Sequence, residues 1–234
     1  MQLNLSVAVD FTASNGTPSG LLPLHYTSSG NNPYQQAIQQ VGQIVVEYDT
    51  DKMVAAFGFG GKVDGVHKDV FALNMNQANP FVKSWQGVLE AYKLALSKTS
   101  LNAPTNFAPV IKQIASAAGD SMRQNPKLYH VLMIVTDGEV TDFTDTVNAV
   151  VQASELPMSI IIIGVGKAGF GQMDRLDGDR QALTGKGGKK GRDIAHFVKH
   201  LDFIGNNYGL AEAVLKELPS QINKFYTMMG MQPR

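Results

Sequence analysis

The alternation of apolar and polar residues along the chain predicts a series of β-strands. Residues 3–9 (LNLSVAV) alternate with a period of two, which is typical of a strand. Residues 129–135 (YHVLMIV) and 158–165 (MSIIIIGV) are almost continuously apolar, as strands buried on both faces are. Three shorter strands are predicted at residues 54–59, 70–73 and 194–198.

Apolar residues three and four positions apart predict helices between these strands. The first helix begins with Asn32 as its cap and Pro33 in its first turn, and it extends to Val45. The other predicted helices cover residues 81–96, 107–122, 142–153 and 210–225. Strands that alternate with helices predict an α/β fold, in which helices cover both faces of an open, mostly parallel sheet.

The composition excludes several classes of function. The chain has 234 residues, of which 44% are hydrophobic and 17% charged, so it is globular. Its 20 basic and 20 acidic residues give no net charge, which argues against nucleic acid as a partner. It contains no cysteine, and this excludes disulfides, cysteine-ligated zinc and cysteine nucleophiles. We find no signal peptide and no apolar run of membrane-spanning length, and we expect a cytoplasmic protein.

Polar side chains follow two of the predicted parallel strands. The first predicted strand is followed directly by Asp10, Thr12 and Ser14. The apolar strand at residues 129–135 is followed by Asp137. The turn into the third helix is expected to bring Thr105 to the same edge of the sheet, where the carboxyl ends of the strands form a ligand-binding crevice. All five side chains offer oxygen, which favours Mg²⁺, Mn²⁺ or Ca²⁺ over zinc.

This set of ligands points to adhesion. Two carboxylates and three neutral hydroxyls leave a divalent cation incompletely neutralised, so it keeps exchangeable waters. A carboxylate from a partner protein can replace one of these waters. Such binding requires neither a nucleophile nor a general base.

Four other motifs receive a structural interpretation. Residues 142–146 repeat the pattern D-x-[ST]-x-[ST], but at a helix start, where these residues are caps. The G-x-G-x-x-G pattern at 164–169 follows a late strand and precedes only a short helical segment, so its glycines are interpreted as a sharp turn. His196 and His200 lie four apart, but residues 194–198 are predicted to be a strand and H-E-x-x-H is absent, so we interpret them as unremarkable histidines. Residues 184–191 (TGKGGKKG) are predicted to be a mobile surface loop, which Lys186, Lys189, Lys190 and Arg192 solvate; contact with acidic lipid headgroups or an acidic partner is the alternative.

Longer segments carry a resemblance to a known family. DFTASNG (10–16), PTNFAPVI (104–111) and HVLMIVTDGEVTD (130–142) resemble the von Willebrand factor A domain. NPYQQAI, FGFG, LPMSIIIIGVG and RLDGD are similar, more narrowly, to the A domain of copines. The resemblance extends over residues 3–226 and implies one domain, 1–234, with a Rossmann-like sheet and a metal-ion-dependent adhesion site at its top edge.

The resemblance also implies a role for each site residue. Asp10, Thr12 and Ser14 match the family's D-x-S-x-S, with threonine in place of the first serine, and Thr105 and Asp137 match its remaining site residues. Asp10, Ser14 and Thr105 are expected to hold the cation directly or through water, and Thr12 and Asp137 to orient it. Mg²⁺ is the expected cation, with Mn²⁺ or Ca²⁺ as alternatives, and a partner's Asp or Glu fills the open position.

The resemblance to copines also implies that the full-length protein carries two C2 domains, which bind phospholipid in a calcium-dependent way. We expect this chain to lack them, so that membrane recruitment belongs to the C2 domains of the full-length protein. The predicted function is therefore a divalent-cation-dependent protein-binding module and not an enzyme. Two alternatives remain open. One is a Mg²⁺-dependent phosphohydrolase or phosphotransferase with Glu139 or Asp142 as its base, and the other is a structural domain with a vestigial metal site.

Overall fold

A mixed, mostly parallel sheet forms the centre of the computed structural model, which describes residues 2–16, 24–26, 30–49, 51–138, 140–178 and 181–231. The strands within these residues are β1 (Gln2–Asp10), β2 (Met53–Val63), β3 (Val66–Ala72), β4 (Phe81–Lys83), β5 (Thr99–Ser100), β6 (Leu128–Thr136), β7 (Met158–Gly164) and β8 (Ala195–Lys199). The α-helices are α1 (Pro33–Val45), α2 (Ser84–Lys98), α3 (Ala108–Gln124), α4 (Phe143–Ala153), α5 (Gly171–Leu176), α6 (Asn207–Leu215) and α7 (Leu218–Met228).

The order of the strands is β3-β2-β1-β6-β7-β8, and β4 and β5 pair with β2. The pairs β1–β2, β1–β6, β6–β7 and β7–β8 are parallel, while β3, β4 and β5 run antiparallel to β2. The predicted open, mostly parallel sheet is therefore confirmed. Because β1 and β6 are parallel neighbours, Asp10 and Thr136 lie at the same end of the sheet.

Two hydrophobic cores lie on opposite faces of the sheet. In β6, Val131 and Met133 face the core formed with α1, α2, α6 and α7. Their neighbours Leu132 and Ile134 face the core formed with α3, α4 and α5. All four side chains are fully buried, which explains why this strand is continuously apolar. None of the described helices is long and apolar enough to cross a membrane.

The start of α1 follows the sequence prediction closely. The Asn32 side chain accepts a hydrogen bond from the Gln35 backbone N–H at 2.9 Å, and the Gln35 side chain accepts one from the Asn32 N–H at 3.0 Å. This reciprocal arrangement is a capping box. Pro33 lies in the first turn, where a backbone N–H has no acceptor within the helix, so the N–H that proline lacks is not required. Local chemistry alone therefore determines where this helix begins.

Two predicted helices were wrong in their bounds. The pattern at 81–96 includes β4, since residues 81–83 pair with β2, and α2 begins only at Ser84. The pattern at 210–225 is divided between α6 and α7, and Pro219 lies in the first turn of α7. Proline has no N–H to continue the hydrogen bonds of the preceding helix, so the chain turns there while its apolar periodicity continues.

Candidate metal site

Asp10 is the last residue of β1, and its side chain is completely buried. Its Oδ1 accepts hydrogen bonds from the Thr12 backbone N–H at 2.7 Å and from the Thr12 hydroxyl at 2.5 Å. Its Oδ2 accepts a hydrogen bond from the Thr136 hydroxyl at 2.6 Å. Both carboxylate oxygens are therefore held in place, one by Thr12 just after β1 and the other by Thr136 at the end of β6.

The same network extends to the neighbouring strand. The hydroxyls of Thr12 and Ser14 lie 3.0 Å apart, and the Ser14 hydroxyl donates to Asp137 Oδ1 at 2.8 Å. Asp137 directly follows β6 and is nearly buried, whereas Ser14 is exposed to solvent. Asp10, Thr12, Ser14 and Asp137 thus form one continuous hydrogen-bonded group that is open to solvent on one side.

Thr105 lies on a neighbouring loop of the same edge. That loop pairs with the segment after β1, because the Asn102 N–H donates to Phe11 O at 3.2 Å and the Ala13 N–H donates to Asn102 O at 2.5 Å. On its other side, the Thr105 backbone exchanges hydrogen bonds with Thr141, at 3.2 and 2.7 Å. Among the described hydrogen bonds, none joins the Thr105 side chain to the group formed by the other four residues.

Sequence reasoning missed Thr136. Its hydroxyl is buried and donates to Asp10 across the β1–β6 pair. The available signal was a lone polar residue at the end of an otherwise apolar strand, directly before Asp137. A buried hydroxyl there requires a partner, and the parallel register supplies the Asp10 carboxylate.

The electrostatics of the site favour a cation. Burial, and to a smaller extent the nearby charge of Asp137, raise the pKa of Asp10 to about 7, against the hydrogen bonds from the two threonines, which lower it. Burial also raises the pKa of Asp137. Within the described part of the chain, neither carboxylate forms an ion pair with Lys, Arg or His. His25 stacks on the adjacent Phe11, but burial lowers its pKa to about 4, so it is neutral at pH 7.

The donor set therefore fits a divalent cation. Two buried carboxylates repel each other and lack a compensating positive charge, which is costly unless a cation is supplied from outside. Their oxygens and the neighbouring hydroxyls are hard ligands of the type that Mg²⁺, Mn²⁺ and Ca²⁺ prefer. The cation would lie among the hydrogen-bonded side chains of Asp10, Thr12, Ser14 and Asp137. Thr105 lies on the neighbouring loop.

Asp142, in contrast, belongs to the scaffold of the site. Its Oδ1 and Oδ2 accept hydrogen bonds from the N–H groups of Phe107 and Ala108, both at 3.0 Å, so it caps the start of α3. Its Oδ1 also accepts from the Thr146 hydroxyl at 2.8 Å. Asp142 occupies the N-cap position of α4, as predicted, but its side chain does not cap that helix and caps α3 instead. Glu139, the other candidate base, lies outside the described residues.

Two glycines of the 164–169 motif have structural roles: Gly166 has a φ of +80°, as a sharp turn requires, and Gly164 is packed closely. A Cβ at Gly164 would lie 2.7 Å from the ring of Phe170 and 2.9 Å from that of Phe197, so close packing requires glycine there. The helix that follows, α5, has only six residues. No phosphate-binding role is needed to explain the motif.

Gly60 places β2 against the metal-site loop. It has a φ of +75°, and a Cβ there would lie 2.3 Å from Thr12 Cγ2 and 3.1 Å from Pro104 O. We expect Gly60→Ala to lower the free energy of unfolding by about 2–4 kcal/mol and to weaken cation binding, because Thr12 must move. Urea denaturation and calorimetric titration with Mg²⁺ measure the two effects.

Gly65 provides the matched control. Its φ is +76°, and a Cβ there would meet nothing within 4 Å. Gly65→Ala therefore isolates the cost of the backbone conformation, about 1 kcal/mol, and should leave cation affinity unchanged. Equal effects of the two substitutions would show that the contact with Thr12 is unimportant.

Comparison with known proteins identifies the family of this chain. The family model of copines matches residues 23–234. The chain belongs to the copine family. The matched region of this copine contains Thr105 and Asp137 and begins after Asp10, Thr12 and Ser14.

Solved structures show the fold of the copine chain. It is similar to the manganese-loaded TRAP protein of Plasmodium vivax, with a TM-score of 0.51 and 10% identity over 90% of this chain and 73% of that one. It is also similar to proximal thread matrix protein 1 from the mussel byssus with a zinc-occupied MIDAS motif, with a TM-score of 0.50 and 14% identity over 95% of this chain and 48% of that one. A von Willebrand factor type A protein from Catenulispora acidiphila matches at a TM-score of 0.46 and 13% identity, over 95% and 43% of the two chains.

The copine chain has the von Willebrand factor A fold, with a mostly parallel sheet and helices around it. It spans less than half of the matched mussel and Catenulispora chains. At identities of 10–14%, the two likenesses with TM-scores of 0.50 and 0.51 establish the architecture alone.

Proposed function

We propose that this copine chain is a divalent-cation-dependent protein-binding module. The observation that carries the proposal is the pair of buried carboxylates, Asp10 and Asp137, joined through hydroxyl groups and without a counter-cation among the described residues. The site opens to solvent at Ser14, where a partner can approach.

Each residue has a proposed role. Asp10, Ser14 and Thr105 hold the cation directly or through water, and Thr12 and Asp137 orient these ligands. The Thr12 hydroxyl already fixes Asp10 Oδ1, which supports its orienting role. When bound, the cation supplies a coordination position for a carboxylate of the partner protein. We propose Mg²⁺ as the cation, with Mn²⁺ or Ca²⁺ as alternatives.

The role of the full-length protein is part of the proposal. As a copine, it would carry C2 domains that bind phospholipid in the presence of calcium, and these would recruit it from the cytoplasm to a membrane. This chain would then contribute the protein contact. We propose no catalytic role: of the two candidate bases, Asp142 has both oxygens engaged in capping α3, and Glu139 lies outside the described residues.

A cation titration of a Ser14 variant tests the metal site. At 100 times its Kd, a bound cation adds about 2.7 kcal/mol to the free energy of unfolding, which raises Tm by about 5–10 °C. Ser14→Ala removes one ligand and the hydrogen bond to Asp137, so we expect affinity to fall about tenfold while the fold is kept. Ser97→Ala, an exposed serine in α2, should change nothing. If no cation changes Tm of the wild-type chain, the vestigial-site alternative is favoured.

The adhesive role is tested with Mn²⁺ as the probe. Water bound to Mn²⁺ relaxes rapidly, so replacement of that water by a carboxylate lowers the relaxation enhancement of the solvent. We expect an Asp-containing peptide to lower it and the matched Asn-containing peptide to have no effect. Equal responses to the two peptides would argue against recognition of a carboxylate, even if the cation itself binds.

A further inference from the structure

A second group of ligand side chains lies away from the proposed adhesion site. Asp177 directly follows α5, His196 lies in β8 and Glu217 lies between α6 and α7. One ligand atom from each of the three lies within 4.8 Å of the others. β7 separates β8 from β6, which carries Thr136 and leads into Asp137, so this cluster is distinct from the first site.

The ring of His196 is oriented as metal-binding histidines are. Its Nε2 lies 2.9 Å from Ala213 O, and because a carbonyl can only accept, Nε2 carries the proton and donates it. The other ring nitrogen, Nδ1, lies 3.3 Å from Asp177 Oδ1 and 3.0 Å from Glu217 Oε1, and it offers a lone pair when the ring is neutral. Nδ1 has no aligned hydrogen-bond partner among the described residues. Two carboxylate oxygens therefore face Nδ1, an arrangement that requires either a proton on Nδ1 or a cation between the three atoms.

The carboxylates are also held in position. Asp177 Oδ1 accepts a hydrogen bond from the Phe197 N–H at 2.8 Å, on the open edge of the sheet. Glu217 Oε2 accepts one from the Gln221 side chain at 3.3 Å, which leaves Oε1 directed at His196. Each of the three side chains is thus fixed by a second contact, as the ligands of metal sites commonly are.

We propose that Asp177, His196 and Glu217 form a second cation site, which binds a divalent transition metal of the zinc class. One imidazole nitrogen with two carboxylate oxygens is a ligand set that zinc accepts, and a water completes the tetrahedron. Ligand atoms at normal zinc distances are about 3.3 Å apart in a tetrahedron, close to the 3.0 and 3.3 Å found here. The nitrogen ligand distinguishes this site from the all-oxygen site at Asp10.

The cluster can be reached by a cation from solvent. The side chains of His196, Asp177 and Glu217 are 12%, 17% and 20% exposed. The carboxylates of Asp177 and Glu217 both lie within 3.3 Å of His196 Nδ1, so the pocket attracts positive charge. A bound metal would connect the edge strand β8 to the segment after α5 and to the junction of α6 and α7, which are far apart in sequence.

Zinc titration tests this site by itself in the Asp10→Asn background, in which the first site is disabled. We expect about one Zn²⁺ per chain by calorimetry, and His196→Gln in this background should weaken binding about 100-fold or more. Glutamine can still donate to Ala213 O, so the fold should be kept, and circular dichroism checks this. Glu217→Gln, at the helix junction, provides a second variant with the same expected loss.

His200→Gln is the matched control. This histidine lies four residues further on and is also buried, but it is not in the cluster, so zinc affinity should be unchanged. Independently of any variant, the ¹⁵N resonance of His196 Nδ1 should shift on addition of Zn²⁺. Zinc binding that survives His196→Gln, or a His196 ring with protons on both nitrogens at saturating zinc, overturns the proposal in favour of an ion pair.

Discussion

Asp10→Asn is expected to stabilise the metal-free protein at neutral pH and to abolish its affinity for divalent cations at the first site. The substitution keeps the size of the side chain and removes its charge. In the wild-type protein that charge is completely buried and repelled by Asp137, and burial raises the pKa of Asp10 to about 7. A residue that weakens the apo fold and is required for ligand binding is typical of a functional site.

The sign of the effect follows from the protons bound in each state. Between the unfolded pKa of 3.8 and the folded pKa of about 7, the folded state binds more protons than the unfolded state. The stability of the wild-type protein in EDTA therefore falls as the pH rises through this range. About three pKa units correspond to about 4 kcal/mol as an upper bound, so we expect Asp10→Asn to be more stable by about 2–4 kcal/mol at pH 8. Near pH 4 the difference should disappear.

Urea denaturation in EDTA at several pH values measures this effect, and calorimetric titration with Mg²⁺ measures the loss of binding. Asp145→Asn is the matched control, because it removes an exposed carboxylate from the first turn of α4. It should change stability by less than about 0.5 kcal/mol. If Asp10→Asn is no more stable than wild type at pH 8, the buried charge is not a penalty, and if it binds Mg²⁺ normally, the assigned site is wrong.

Arg192→Ala is expected to cause the largest loss of stability among the substitutions considered. The guanidinium of Arg192 donates hydrogen bonds to three backbone carbonyls between the end of α4 and the start of β7 and to one carbonyl in the first turn of α7. Its partners are Ser154 O at 3.3 Å, Leu156 O at 3.2 Å, Met158 O at 3.3 Å and Gln221 O at 2.9 Å. It also lies 5.4 Å from the ring centroid of Phe225 and 3.4 Å from the Tyr129 hydroxyl.

Alanine would remove the charged donor shared by these carbonyls, of which Met158 O would keep a hydrogen bond from the Tyr129 hydroxyl at 2.9 Å. Hydrogen bonds to a charged donor contribute about 1.5–3 kcal/mol each and are not additive, so we expect a total loss of about 3–5 kcal/mol. This corresponds to a decrease in Tm of about 6–15 °C for a chain of this size, measurable by thermal unfolding. Arg192→Lys should recover only part of the loss, because an ammonium cannot span the same set of acceptors.

Lys190→Ala is the control for this prediction. Lys190 is exposed and lies two residues before Arg192, so its removal should change Tm by less than about 2 °C. Similar effects of the two substitutions would show that Arg192 acts only as a surface charge. The interpretation of Arg192 as part of a solvated basic loop was wrong, because its side chain joins α7 to the segment between α4 and β7.

Much of the fold could be predicted from the sequence because its determinants are local. The period-two pattern of residues 3–9 and the buried runs of β6 and β7 indicated the central strands, and the Asn32–Gln35 capping box determined the start of α1. The bounds of α2 and of the last two helices were predicted incorrectly. Strand pairing of residues 81–83 and the break at Pro219 do not change the apolar spacing, so the pattern did not show them.

The sequence alone determined the types of oxygen ligand at the first site and their positions at the ends of two strands. Only the tertiary structure decided that Asp10, Thr12, Ser14 and Asp137 share one hydrogen-bonded network, and that buried Thr136 completes it. It alone brought Asp177, His196 and Glu217 together, from the end of a short helix, an edge strand and a helix junction. The physical reason is that strand ends follow from local periodicity, whereas contacts between side chains depend on register and packing across segments that are distant in sequence.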